Sequence, residues 1–191
     1  VSATISRLVY DCNRPPEAES AMPAVSEIYE IPGNAGLSAA ARDERVDMVY
    51  TPFRETLAGV IDRRLASGRR PAVVTVHSFT PTYKGVERPL DIGILHDADS
   101  RLADAMLAQT DAFEDLDVRR NEPYGPADGV THTLKLHALP HGLLNVMIEY
   151  CSDLIETAAG QDEWAKRTAR LLETALERFH VDIYAAGPEK A

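Results

Sequence analysis

Three apolar runs constrain this chain most: residues 71–77 (PAVVTVH), 90–95 (LDIGIL) and 143–150 (LLNVMIEY). A strand wet on one face alternates apolar and polar residues, so a continuous apolar run reads as a strand buried on both faces. Between the runs lie stretches whose apolar residues recur at spacings of three and four, the helical period. Residues 39–66 carry Val46, Val49, Tyr50, Phe53, Leu57, Ile61 and Leu65 behind a Ser38 cap, with Gly68 as the stop. Pro52 predicts a break or kink near Thr51. Residues 97–113 form a second helix through Leu102, Met106 and Leu107. Residues 161–179 form a last one, with Trp164, Leu171, Leu172, Ala175, Leu176 and Phe179 inward. Strands alternating with helices predict an α/β fold, a mostly parallel mixed sheet with helices on both faces.

The smaller pieces fit that frame. Residues 5–11 (ISRLVYD) read as a first strand, and residues 17–37 as a long loop. Val118 opens a short strand ending at the turn Asn121-Glu122-Pro123-Tyr124-Gly125, and residues 131–138 make a short helix. A chain of 191 residues is one domain on length alone. Opening at Val1 directly into strand-like sequence, it is expected to lack its N-terminal segment.

Charge and cysteine content narrow the function. Thirty acidic residues against 20 basic ones give a net charge of -10. Such a surface repels phosphate backbones and anionic bilayers, which excludes nucleic acid and membrane as partners and leaves a small-molecule ligand. No run approaches the ~20 apolar residues of a membrane helix. Only Cys12 and Cys151 occur, too few for a disulfide scaffold, so reduced thiols in the cytoplasm are expected. Both read as small core residues.

In open α/β sheets ligands sit beyond the carboxyl ends of strands. The residues predicted there are Asp11, Asn13 and Arg14; His77 with Ser78 and Thr80; Arg119, Arg120 and Asn121; and Glu149 with Asp153. A His, a Glu, an Asn and an Arg on one rim equip a site for metal-assisted amide hydrolysis. Neutral imidazole binds a metal, a carboxylate accepts a proton from water, and a guanidinium clamps a carboxylate. Each has a plainer reading. His77 is either a ligand or a hydrogen-bonded structural histidine. Glu149, after the apolar Val146-Met147-Ile148, is either functional or half of a buried ion pair. His132, His137 and His141 read as surface or capping residues.

Five segments together resemble the N-formylglutamate amidohydrolase (N-formylglutamate deformylase) family. They are Ser6-Arg7-Leu8-Val9-Tyr10-Asp11-Cys12-Asn13-Arg14-Pro15, Val76-His77-Ser78-Phe79-Thr80-Pro81, Gly85 through Arg88, Arg120-Asn121-Glu122-Pro123-Tyr124, and Ile148-Glu149 with Asp153-Leu154-Ile155. The resemblance implies a fold like that of zinc carboxypeptidases and aspartoacylase. It implies His77 as one ligand of a catalytic zinc or another divalent transition metal, the remaining ligands lying upstream of Val1. It also implies Glu149 as general base and acid, and Asn13 and Arg14 on the substrate's carboxylate, with Arg88 and Arg120 as further anion contacts. The implied substrate is an N-formyl or other N-acyl derivative of an acidic amino acid. A non-catalytic carboxylate binder of the same fold and an aspartoacylase-like deacylase are the alternatives.

Overall fold

The computed structural model describes residues 1–109 and 116–179. Its centre is β8 (Asn145–Cys151), buried at all seven positions. Beside it runs β3 (Val73–Phe79) in parallel, and on its other side β6 (Ile92–Leu95) antiparallel, followed by β7 (Val118–Arg120) parallel to β6. The sheet order is β3-β8-β6-β7. The predicted mixed α/β sheet is present, with two parallel pairings and one antiparallel.

Helices cover both faces. On one, Val146, Ile148 and Tyr150 of β8 pack with Ile92 and Ile94 against α3 (Arg101–Leu107) and α5 (Ala158–Glu177). On the other, Val73, Leu95 and Met147 pack against Ile61 of α2 (Thr51–Ala66) and Leu134 of α4 (His132–His137). Each fully buried aliphatic of this kind contributes about 1.5–3 kcal/mol. Thr157 caps α5 by accepting from Gly160 N at 3.0 Å. Ser38 does the same for α1 (Ala39–Arg45) through Ala41 N.

Several expectations are corrected. Residues 5–11 are not a strand. Ser6 captures the following amides, its carbonyl accepting from Val9 N and its hydroxyl from Leu8 N, so the segment turns on itself. Nor is β3 buried on both faces: it is the edge of the described sheet, and Val76 is 61% exposed. The break or kink expected near Thr51 takes the form of a π-turn (Val46–Tyr50) between α1 and α2. That relieves the clash of Pro52 with the carbonyl four residues back. Helix α3 starts late because Asp97 and Asp99 accept from Ala98 N and Arg101 N and hold the entry in turns. The predicted helix end at Phe113 lies outside the described residues. The 17–37 loop contains a hairpin, β1 (Val25–Ser26) with β2 (Tyr29–Glu30), and a second small hairpin pairs β4 (Thr82–Tyr83) with β5 (Val86–Glu87). Among the described residues, no helix is long and apolar enough to cross a membrane.

Candidate active site

Strands β3 and β8 bring the site together. Their register pairs His77 with Glu149, and β6 places Gly93 opposite Glu149 on its other side. Register partners project to the same face, here the one bearing Val73 and Met147. Gly93 is needed at this level. A Cβ there would meet the Glu122 carbonyl oxygen at 2.0 Å, so only glycine lets the turn after β7 close over the sheet.

Glu149 is 3% exposed, and its Oε2 has no hydrogen-bond partner. It has no ion-pair partner among the described residues. Burial pushes its carboxyl up to about 7, a rise opposed by the fields of Arg7, Arg14 and Arg88 and reinforced by that of Asp11. A carboxyl that titrates near neutrality can take a proton and return it. The half-buried His77 is pushed below the ordinary histidine range, chiefly by desolvation. Its imidazole is therefore neutral at physiological pH, the form that ligates metal.

Both groups line a cleft of about 960 Å³, whose walls include Arg7, Asp11, Asn13, Arg14, Tyr83 and Tyr124. The two small hairpins also line it and meet at their tips, where Lys84 N donates to Glu27 Oε1 at 2.8 Å. Asp11 is buried. Its Oδ2 takes Arg7 Nη2 at 2.7 Å and its Oδ1 takes Asn13 N at 3.0 Å.

The other predicted residues divide. Arg14 lines the cleft, donates to the Asn13 carbonyl, and has no carboxylate partner among the described residues. Asn13 is there too, but its carboxamide is largely committed. Oδ1 accepts from Thr133 N (3.0 Å) and Thr133 Oγ1 (2.7 Å), and Nδ2 donates to Val130 O. One amide N–H is left. Arg88 donates Nη1 to Tyr124 Oη at 2.8 Å and packs over the Tyr83 and Tyr124 rings. Arg120 is not brought to this group. Because β6 and β7 run against β8, their carboxyl ends lie at the opposite end of the sheet. There Arg120 pairs with Asp104 at 2.5 Å and donates to His96 Nε2.

Histidines expected at the surface also move. His137 is buried on α4, and His132 Nε2 is 2.8 Å from Tyr50 Oη. Sequence reasoning missed Tyr83, Tyr124 and Thr133. Only Tyr124 carried a signal, its place in the 121–125 turn.

The fold and cleft thus define a mixed α/β protein with an unpartnered buried acid facing arginines. The chain belongs to the N-formylglutamate amidohydrolase family, whose model matches residues 1–156. Membership implies a hydrolase acting on amides. The chain is also similar to a solved structure, gene product Atu2144 from Agrobacterium tumefaciens. The two are 57% identical with a TM-score of 0.89, over 92% of this chain and 69% of that one. No curated protein matches the chain.

Proposed function

We propose that the cleft hydrolyses the N-formyl, or another N-acyl, amide of an acidic amino acid such as N-formyl-L-glutamate. The observation that carries this is Glu149, a buried carboxyl with no ion-pair partner among the described residues, in a cleft shared with Arg14, which holds no carboxylate among the described residues either. Glu149 takes a proton from the attacking water and delivers it to the departing amine nitrogen. Arg14 holds a substrate carboxylate, and Asn13 holds the Arg14 segment against α4. The hydrolase resembles zinc carboxypeptidases and aspartoacylase in having helices on both sides of a mixed sheet, and it works in the cytoplasm.

His77 is the one candidate ligand among the described residues for zinc or another divalent transition metal. Catalytic zinc uses three protein ligands. Among the described residues no three His, Cys, Asp or Glu stand together to hold an ion. The described residues therefore do not by themselves make that centre.

The test is turnover of N-formyl-L-glutamate, followed by formate release, for the wild type, Glu149→Gln and His77→Ala. Loss of a positioned base lowers the rate by about 10²–10⁴-fold. Undiminished turnover in Glu149→Gln overturns the assignment. Tight binding without turnover in the wild type identifies a carboxylate-binding relative instead.

A further inference from the structure

Two hairpins meet at the cleft, firmly tied at their bases and loosely at their tips. The first, β1–β2, follows the segment that carries Asp11, Asn13 and Arg14, and Asp11 N donates to Ala21 O at 2.9 Å just ahead of it. The second, β4–β5, follows β3 and His77. Under the first, the buried Asn34 donates Nδ2 to the Pro23 carbonyl at 2.8 Å, and Ile31 N donates to Ala24 O at 2.8 Å. Under the second, Arg88 N donates to Pro81 O at 2.7 Å, between the buried Phe79 and Leu90. The tips have no such support. Each strand is two residues long, and a lone hairpin is marginal in water. Ile28 is 71% exposed and Val86 68%, so apolar burial does not fix them. The first loop residue of each hairpin, Glu27 at φ 59° and Lys84 at φ 51°, is a non-glycine in the left-handed region, a conformation that its surroundings must impose. Those two residues are the ones that touch, Lys84 N donating to Glu27 Oε1 at 2.8 Å. Val25, Ser26 and Glu27 on one side and Tyr83 on the other are cleft walls, so the contact closes a ring of chain around the cleft.

We propose that the two hairpins form a strap over the cleft, latched by the Glu27 carboxylate on the Lys84 amide, and that the latch opens to admit ligand. The tied bases act as hinges, and one hydrogen bond between the tips sets how often the strap is open. That the admitted ligand is an N-acyl amino acid rests on the hydrolase reading of the cleft; the latch itself does not.

Cys12 is a probe already in place. It is buried in the cleft wall, whereas Cys151 is buried against Phe79 and Leu90, away from that wall. A maleimide therefore labels Cys12 when the strap opens, and both cysteines when the whole chain unfolds. Glu27→Ala is expected to raise the Cys12 labelling rate about 3- to 10-fold, the range of one hydrogen bond, with Cys151 unchanged. Glu27→Gln keeps an acceptor oxygen on the same backbone and stays at the wild-type rate. Joining the tips of a Glu27→Cys, Lys84→Cys variant with a short bismaleimide lowers both Cys12 labelling and kcat/KM for N-formyl-L-glutamate below those of the same variant unjoined. Equal Cys12 rates in Glu27→Ala and the wild type, or a rise shared by Cys151, overturn the strap. So does a kcat/KM that joining the tips leaves unchanged. Cys12 labelling that follows the latch in a protein with no turnover sinks the hydrolase and keeps the strap.

Discussion

His77 and Glu149 are register partners on adjacent parallel strands, 72 positions apart in sequence, and both open into one cleft. Strand spacing alone, about 4.8 Å, keeps them neighbours whatever the loops do. Glu149 is built into the most buried strand of the sheet and His77 into the edge strand beside it, so the backbone ladder between the two strands fixes their relative position.

Burial of Glu149 makes stability depend on pH. Its folded value is about 7 against an ordinary 4.5. Between those values the folded chain keeps a proton that the unfolded chain has lost. Stability is therefore complete below about 4.5, falls as pH rises, and levels off above about 7. The loss is roughly 3 kcal/mol across the window, at ~1.4 kcal/mol per unit. Urea unfolding at pH 5 and pH 8 should show this slope in the wild type and a flatter one in Glu149→Gln.

Removing Arg14 should act twice. Its charge favours ionised Glu149, so Arg14→Met raises that carboxyl further and moves the acid limb of the kcat/KM profile to higher pH. It also removes a substrate contact, raising KM by about 10-fold or more. A pH–rate series on both proteins separates the two effects.

Asn13→Ala should cost stability before it costs recognition. It strands the Val130 carbonyl and both the Thr133 amide and hydroxyl, all at buried residues. Unpaired buried groups cost about 1–3 kcal/mol each before relaxation. A fall of about 2–4 kcal/mol in urea unfolding is expected, and an unchanged midpoint would show that the carboxamide does not hold this segment.

Gly93→Ala should be among the most damaging small changes. The new methyl meets backbone, the Glu122 carbonyl, at 2.0 Å, so the turn carrying Tyr124 must lift. Overpacking of this kind costs about 3 kcal/mol or more. Gly36→Ala is the control. It has a positive φ of +65° but nothing within 4 Å, and should cost only about 1 kcal/mol. Thermal melts of the two variants make the comparison.

His77 and Glu149 were readable because they lie on strands with strong local signatures, whereas Asn13 and Arg14 reach the cleft from a segment that is not a strand. The run before Glu149 is apolar enough to announce a buried strand, so an acid inside it stood out. Arg120 shows the limit. It follows a strand as plainly as His77 does, yet β7 points the other way and carries it to Asp104. Ser6 shows another. Residues 5–11 have strand composition, but β preference reflects packing against neighbours, and here a serine closes a turn first. Tyr83 was invisible, since an aromatic ring in a hairpin matters only once Arg88 folds over it.

The amino-acid order settled the main helices, the three long apolar strands, the Ser38 cap and which polar residues interrupt apolar runs, because those properties arise from neighbours within a few positions. Folding in three dimensions settled strand direction, which strand lies at the edge, and which guanidiniums keep a free face. These depend on contacts between segments far apart in the chain, and no local period encodes them.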